Sequence, residues 1–274
     1  MLNNTTQNIM KKLLFTTAII SLLFAGCNKD NDPIDEQDDP PTEQVKKLPS
    51  RMTLLSHADY YEDNDTTTFF IILEYDDSNR LVKQSTLGRP NGDIGLEIWY
   101  NADNTPSKMI ENWVDGTENQ SLKTEFQYVG NSIFSITIRQ GFCNDTTILK
   151  LNGDQIVETV RCGRKEVYSY NSNGNVSQIN SMDFEYSNIM NFEYSNIKSI
   201  FRHTNTPDWF FLLMEERLGP FSKNGYMVSK MIWSNGHTNS FVYKTNSDGY
   251  VAEMKIFENE RLVQTIGIEY IPAK

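Results

Sequence analysis

The residue types that carry most enzyme chemistry are few and widely spaced in this chain. Its three histidines, His57, His203 and His237, show no paired spacing, so the sequence contains neither an HExxH zinc motif nor a compact Cys/His cluster. It also lacks a glycine-rich phosphate loop and a nucleophile elbow. Residues 63–65 and 246–248 could offer oxygen ligands to calcium, but tight turns favour Asn and Asp for conformational reasons. We expect no catalytic residue of these classes, no cofactor and no metal ion.

Two other residue types could act on or hold a ligand. Carboxylates for a glycosidase pair are plentiful, among them Glu97, Glu111, Glu125, Glu215 and Glu216, but only their separation in space would make a pair. Trp99 and Trp113 each lie in a segment of alternating polarity on the side that carries glutamates. A tryptophan on such a face can stack on a sugar ring or a partner, or be covered by a loop or the second wall of a barrel. These two tryptophans are the candidate ligand-binding residues.

Cys27 stands where a lipid anchor would be attached. Two lysines precede a short apolar run, Leu13–Phe24, and Ala25 and Gly26 lead into the cysteine. This order predicts a secretory signal, and the run is too short to span a bilayer as a stable helix. The small pair before Cys27 resembles the lipobox of bacterial lipoproteins. The resemblance implies that residues 1–26 are a signal peptide and that the thiol carries diacylglycerol, while an ordinary secreted protein is the alternative.

The segment after Cys27 predicts a tether. Residues 28–45 hold one lysine, seven acids and three prolines, so we expect residues 27–45 to form an acidic, disordered linker. Its start, Lys29-Asp30-Asn31-Asp32, resembles the acidic export signal of lipoproteins in some gut anaerobes. This predicts an outer-membrane lipoprotein on the cell surface, with the periplasmic face as the alternative. The formal charge of −11 argues against a nucleic-acid partner, since phosphate binding requires a basic face.

Cys143 and Cys162 are the remaining cysteines, and an oxidising compartment would allow them to pair. If Asn152 and Gly153 form a two-residue turn, residue 151 pairs with residue 154. The same register would place Cys143 opposite Cys162, with Cα atoms about 5.5 Å apart. We therefore predict a disulfide, with two thiols as the alternative.

Residues 46–274 read as a single domain of β-hairpins. About 14 segments rich in Ile, Val, Phe, Tyr and Thr alternate with clusters of Asn, Asp, Gly and Ser. In Ser121 to Tyr128 every second residue, including Phe126, is suited to a core, while Lys123 and Glu125 face the other way. We predict an all-β antiparallel meander, curled or closed into a barrel.

An internal repeat accompanies the strands. Three segments, Tyr75–Leu81, Tyr100–Pro106 and Tyr170–Val176, share a tyrosine that ends a strand, a polar turn and a new strand. Turn chemistry explains this frame, since Asn and Gly tolerate positive φ and Tyr can bury its ring while its hydroxyl stays in water.

The frame Tyr75–Leu81 resembles the tyrosine-aspartate repeats of large bacterial surface proteins. Together with the lipobox, the acidic tether, Asn205-Thr206-Pro207-Asp208-Trp209-Phe210 and the closing Ile268-Glu269-Tyr270-Ile271, it is similar to a family of bacterial lipoproteins of unknown function with a porin-like β fold. The resemblance covers about residues 48–272. It implies a curled sheet or closed barrel and leaves the function open.

The residues expected on the outside of the barrel are polar, including Lys123, Glu125, Arg139 and Lys150. Strands embedded in an outer membrane need an apolar outward band, so we expect a barrel that is tethered to the membrane by its lipid and not inserted in it.

One helix is predicted over residues 207–218. Thr206 offers an N-cap hydroxyl, Pro207 suits the first helical position, and Gly219-Pro220 provides the stop. The apolar run Trp209 to Met214 requires burial on nearly all sides. The helix is interpreted as a plug in one end of a wide barrel, or as a lid over a ligand cavity.

Three functions are compatible with these features. The first is a non-enzymatic surface module that binds a glycan or peptide through Trp99 and Trp113. The second is a structural or accessory lipoprotein that docks on another envelope protein, and the third is a carboxylate-based hydrolase at a barrel mouth.

Overall fold

The computed structural model describes residues 45–57, 66–89, 92–115, 118–139, 145–182, 187–214 and 225–274. All of them belong to one compact unit, Gln44–Lys274. The predicted signal peptide, Cys27 and all of the predicted tether except residue 45 lie outside the described residues, so these assignments stay predictions. No helix in the described ranges is both long and apolar enough to span a bilayer.

Sixteen strands form the domain, and each is antiparallel to both of its neighbours. In chain order they are β1 Lys47–Ser56, β2 Thr67–Tyr75, β3 Leu81–Leu87, β4 Ile94–Tyr100, β5 Pro106–Asp115, β6 Glu118–Val129, β7 Ser132–Arg139, β8 Asp145–Asn152, β9 Gln155–Arg161, β10 Arg164–Tyr170, β11 Val176–Met182, β12 Ser187–Lys198, β13 Tyr226–Trp233, β14 Thr238–Thr245, β15 Val251–Glu258 and β16 Arg261–Pro272. Sequence neighbours pair throughout, and β1 pairs with β16 to close a barrel. The predicted all-β meander is therefore confirmed, with sixteen strands where the sequence indicated about 14.

The two faces of the barrel wall differ as the alternating pattern predicts. Phe126 and Thr124 of β6 are buried inside, whereas Lys123 and Glu125 form an ion pair outside. Lys150 on β8 likewise contacts Glu158 on the outer face at 2.5 Å. The outer surface therefore carries charge pairs, both within a strand and between strands, among its apolar side chains. The side chain of Arg139 lies outside the described part of the structure.

The two ends of the barrel are built differently. At the end we call the plugged end, residues 199–214 pack against the β2–β3 turn, and the described chain both begins and finishes there. Asn205 N donates to Asn79 O at 2.9 Å, and Lys274 N donates to the Asn79 side chain at 2.8 Å. We call the opposite end the mouth, because it carries the short β9–β10, β13–β14 and β15–β16 turns and no helix in the described residues.

Helix α1, Asp208–Leu213, occupies the plugged end. Trp209, Phe210 and Phe211 are buried, and the rings of Trp209 and Phe210 meet Phe126 of the wall edge-on with centroids 5.7 and 6.0 Å apart. The plug interpretation is supported, because these side chains belong to the same buried cluster as the inner wall.

The helix is shorter than predicted and is capped differently. Its N-cap is Pro207 and its last residue is Leu213, whereas the sequence predicted Thr206 as N-cap and a helix over 207–218. The Thr206 hydroxyl instead accepts the backbone N–H of Leu81 at 2.8 Å and lies 3.0 Å from the Tyr100 hydroxyl. A tertiary partner thus takes the oxygen that would have capped the helix. Residues 215–218 lie outside the described residues.

The repeated frame forms one recurring turn at the plugged end. In the first copy Asp76 N donates to Arg80 O, and Asn79 N donates to Asp76 O. The Asp76 carboxylate accepts hydrogen bonds from two further backbone N–H groups. The fourth turn residue has positive φ, 59° at Asn79 and 79° at Gly174, which explains the preference for Asn or Gly there. Another copy of this turn begins at Asn246, and the three segments aligned in the sequence did not include it.

A ring of tyrosines runs around the barrel at the plugged end. Each lies near the end of an even-numbered strand, and its hydroxyl donates to a carbonyl at the start of the preceding strand. The pairs are Tyr100 to Leu81, Tyr128 to Pro106, Tyr170 to Ile156, Tyr194 to Val176, Tyr243 to Val228 and Tyr270 to Val251. The expectation that these hydroxyls stay in water is wrong, since they tie adjacent strands together. Burial raises the pKa of Tyr100, Tyr128, Tyr170, Tyr243 and Tyr270.

Candidate ligand site at the barrel mouth

The inner wall changes character between the plugged end and the mouth. The middle of the barrel is buried and apolar, with Leu149 and Ile133 paired across β8 and β7. Toward the mouth, inward residues become polar or aromatic and only partly buried, such as Glu166, Trp113 and Trp233. A concave surface of mixed polarity is the usual form of a ligand site.

The strand register fixes which side chains face inward. Phe126, which contacts the plug, pairs with Ser135, then with Thr147, Arg161 and Arg164 on successive strands. Directly paired residues project to the same face of a sheet. The two arginines on either side of the β9–β10 turn therefore lie on the inner face at the mouth.

Strand β10 runs from the mouth into the barrel. Its inward residues are, in order, Arg164 at the rim, Glu166, Tyr168 and finally Tyr170 in the tyrosine ring. The side chain of Arg164 is 58% exposed and that of Glu166 is 25% exposed. Exposure thus falls from the rim inward, as expected for a wall that descends from water toward a filled interior.

Glu166 organises the polar part of this wall. One of its carboxylate oxygens accepts hydrogen bonds from Thr159 Oγ1 at 3.2 Å and Tyr168 Oη at 2.9 Å. Its other oxygen lies 2.9 Å from Arg164 Nη2, and Arg164 Nε donates to Ser181 Oγ at 2.8 Å. Three neighbouring side chains and the ion pair itself therefore hold one carboxylate and one guanidinium in defined positions.

A second inward row lies one step deeper on the same strands. Tyr168 pairs with Ile179, Ile179 with Met190, and Met190 with Trp233, so four strands contribute a continuous apolar and aromatic strip. Met190, Trp233 and Tyr168 are partly buried against the core. We call the polar group Thr159, Glu166, Arg164 and Ser181 with this strip the mouth patch.

The two predicted ligand-binding tryptophans lie on opposite faces of the wall. Trp113 pairs with the inward Ile94 and is half-buried inside the mouth. Trp99 is 37% exposed on the outer face, where Lys108 Nζ lies 3.8 Å from its ring centroid in a cation–π contact. The two residues therefore do not form one site, and only Trp113 faces the mouth.

The candidate carboxylates are similarly divided. Glu111 pairs with the buried Leu96 and faces inward, whereas Glu125 is outside and ion-paired. Glu97 pairs with Lys83 on the outer face. Glu215 and Glu216 lie outside the described residues, as does the segment 63–65. Within the described ranges, no group of three metal-ligating side chains comes together.

The register that led to the predicted disulfide is wrong in the described part of β8 and β9. Asn152 pairs with Gln155, so the turn is Gly153-Asp154, and a bulge then shifts the ladder so that Lys150 faces Glu158. Cys162 is exposed at the β9–β10 turn with φ 48°. Cys143 lies outside the described residues, so the bridge itself stays a prediction.

The sequence analysis did not identify the mouth patch. Arg164-Lys165-Glu166 reads as an ordinary charged strand, because alternation alone does not show which face of a polar strand is inside. The signal lies in the partners, since Glu166 pairs with Thr159 and Thr159 with the buried Leu149, which only the ladder shows.

Fold and site together define a closed sixteen-strand β-barrel in which α1 fills one end and the described residues at the other end form an inner wall of mixed polarity. No protein-family model and no curated protein matches the chain. Among solved structures it is similar to a porin-like protein from Bacteroides uniformis ATCC 8492, with 12% identity and a TM-score of 0.39 over 81% of this chain and 96% of that one. A porin-like protein from Bacteroides vulgatus ATCC 8482 is 11% identical, with a TM-score of 0.39 over 83% of this chain and 100% of that one.

Proposed function

We propose that this protein is a lipid-anchored barrel of the cell envelope that binds a glycan or peptide ligand at its mouth without transforming it. The observation that carries the proposal is the mouth itself, where Trp113 and, within the mouth patch, Arg164, Glu166 and Trp233 face inward and stay partly exposed beside the buried Thr159 and Ile179. Residues of a filled core would be buried, whereas Arg164 at the rim is 58% exposed, as expected of a side chain that meets a ligand.

The anchoring part of the proposal depends on Cys27 and on the outer surface. The signal, the lipobox-like pair and the acidic segment predict a lipoprotein on the cell surface. The outward ion pairs, such as Lys123–Glu125 and Lys83–Glu74, fit a barrel that stands in water, because lipid-facing charges would be costly. The tether joins the barrel at Val45, on the plugged end, so the mouth is the opposite end.

A thermal-shift screen tests the binding function. The chain from residue 27 onward, with Cys27→Ser to remove the lipid site, is heated with neutral and acidic oligosaccharides and with peptides. A ligand at about 100 times its Kd stabilises the folded state by about 2.7 kcal/mol, which raises the midpoint by about 5 to 10 °C.

Trp113→Ala and Trp99→Ala form a matched pair in this screen. We expect the ligand-induced shift to disappear with Trp113→Ala and to persist with Trp99→Ala, because only Trp113 faces the mouth. The reverse result would move the site to the outer face, and a screen without any shift would contradict the binding function.

A second function, docking on another envelope protein, is favoured by one outer surface. Phe134, Ile148 and Val160 form an outward row on β7–β9, with Ile138 38% exposed beside it. Exposed apolar clusters mark interaction sites more often than chance. Cross-linking on intact cells should then give one dominant partner with the parent protein and none with Ile138→Lys.

A further inference from the structure

We propose that the mouth patch recognises an acidic sugar, with the guanidinium of Arg164 binding its carboxylate and the adjacent aromatic strip contacting its ring. This inference rests on the proposed function and names the class of ligand for it. Its elements are one positioned cation at the rim and a deeper apolar surface on the same strands.

Arg164 is oriented before any ligand arrives. Its Nε is bonded to Ser181 and its Nη2 to Glu166, so one edge of the guanidinium is held by the wall. Among the described residues, Nη1 has no hydrogen-bond partner, and the side chain is more than half exposed. A planar guanidinium with one edge fixed and one end open is suited to bind a carboxylate with two hydrogen bonds.

Arg161 adds a second inward cation. It is the direct cross-strand partner of Arg164, across the Cys162-Gly163 turn. Glu166 balances one of the two positive charges, so these three side chains together leave one net positive charge on the inner wall. The whole chain carries −11, so an inward pair of arginines runs against the overall charge.

The surface beside these cations suits a sugar ring. Tyr168, Met190 and Trp233 provide an apolar strip one step deeper than Arg164, while Ser181 and the partly exposed Glu166 provide polar groups on the row nearer the rim. A pyranose has an apolar face and a hydroxylated edge, so it satisfies both rows at once. A long hydrocarbon chain would cover the partly exposed charges of Arg164 and Glu166 without replacing their contact with water, at a cost in binding free energy.

The closed barrel argues for a sugar over a peptide. Peptides commonly bind by adding a strand to a free sheet edge. Each of the sixteen strands here is already paired on both sides, β1 with β16 included, so the sheet offers no such edge. A peptide would have to bind through side chains alone.

The test compares one glucuronate-containing oligosaccharide with the same oligosaccharide after its carboxyl groups have been reduced to hydroxymethyl. Binding to the chain from residue 27 onward, with Cys27→Ser, is measured by calorimetry. We expect the acidic form to bind at least about 10-fold more tightly than the reduced form, as loss of a charge-assisted bond implies. Its affinity should fall as salt is added.

Arg164→Gln and Lys165→Gln make a matched pair of variants. Both remove one positive charge from adjacent positions, but Lys165 lies on the outer face and contacts Glu158 at 2.5 Å. Arg164→Gln should abolish the preference for the acidic oligosaccharide, and Lys165→Gln should keep it. Arg164→Lys keeps the charge without the planar fork and controls for folding, and we expect an intermediate affinity.

The outcomes distinguish the acidic-sugar assignment from the broader proposal that a ligand binds at the mouth. Equal binding of both oligosaccharides, or a preference that survives Arg164→Gln, overturns the acidic-sugar assignment while mouth binding stands. Tighter binding of an acidic peptide that displaces the oligosaccharide also overturns it. If neither oligosaccharide binds, the assignment fails, and the Trp113→Ala and Trp99→Ala screen then decides whether another ligand occupies the mouth.

Discussion

At the scale of single residues, the tyrosine ring separates residues that look alike in sequence. Six tyrosine hydroxyls donate to carbonyls of a neighbouring strand, including that of Tyr270 to Val251 O at 2.9 Å. Tyr75 ends β2 in the same frame, yet its buried hydroxyl has no hydrogen-bond partner among the described residues. Burial, with smaller contributions from Tyr270 and Tyr100, raises the pKa of Tyr75. A tyrosine in this repeat therefore stabilises the fold where its hydroxyl is hydrogen-bonded and lowers stability where its buried hydroxyl is not.

This difference gives a paired prediction for stability. Tyr270→Phe removes a donor and leaves a carbonyl unpaired, so we expect a loss of about 1 to 2 kcal/mol. Tyr75→Phe removes an unsatisfied hydroxyl, so we expect no loss or a gain of up to about 1 kcal/mol. Urea unfolding of the two variants measures both values. Equal destabilisation by the two changes would show that the hydrogen bond of Tyr270 is not the cause.

At the scale of elements, the passage from the plug into β13 depends on a close contact. Gly225 has φ 106°, and a Cβ there would lie 1.6 Å from Asn175 Oδ1, which accepts the N–H of Tyr226 at 3.2 Å. Gly236, in the β13–β14 turn, has φ 87° and open space around its Cα. The two glycines share an unusual backbone but differ in their surroundings.

Alanine substitutions distinguish the backbone strain of a positive φ from a steric conflict with a neighbouring side chain. Gly236→Ala should cost only the backbone strain of a positive φ, about 1 kcal/mol. Gly225→Ala adds a steric conflict with Asn175 and should cost about 1 to 3 kcal/mol more. The free energy of unfolding in urea is the measurement, and equal costs would mean that Asn175 moves aside freely.

The sequence was also most informative about individual strands and helices. The alternation in β6 correctly placed Phe126 inside and Lys123 outside, because burial and period two act on the same residues. The cap of α1 was wrong, because Leu81 N binds the Thr206 hydroxyl from another part of the chain. The β8–β9 register was wrong because the turn is Gly153-Asp154 and a bulge then inserts one more residue, neither of which composition reveals. The mouth patch depends on registers of this kind, so it could not be predicted.

At the scale of the whole molecule, the buried tyrosines couple stability to alkaline pH. Tyr100, Tyr128, Tyr170, Tyr243 and Tyr270 all have a pKa raised by burial above the ordinary value of 10.0. The unfolded chain therefore loses these protons first as the pH rises. Their contribution to stability is complete below pH 10 and is lost progressively above it.

The prediction is a cooperative alkaline transition. The urea midpoint should fall steadily above about pH 10, and the buried tyrosines should ionise together with unfolding. A Tyr243→Phe variant should show a shallower pH dependence, because one coupled proton is removed. A midpoint that stays constant from pH 9 to 11 would contradict the coupling.

The pairing of β1 with β16 joins residues from the two ends of the domain, such as Met52 and Ile268. The paired residues are separated in sequence by nearly the whole domain. Bringing them together costs a large amount of chain entropy, so we expect this pairing to form late in folding. Until β16 is available, the growing meander has two unpaired edges that can associate with other chains. A cell that makes this protein therefore has to keep it from aggregating until its last strand is in place.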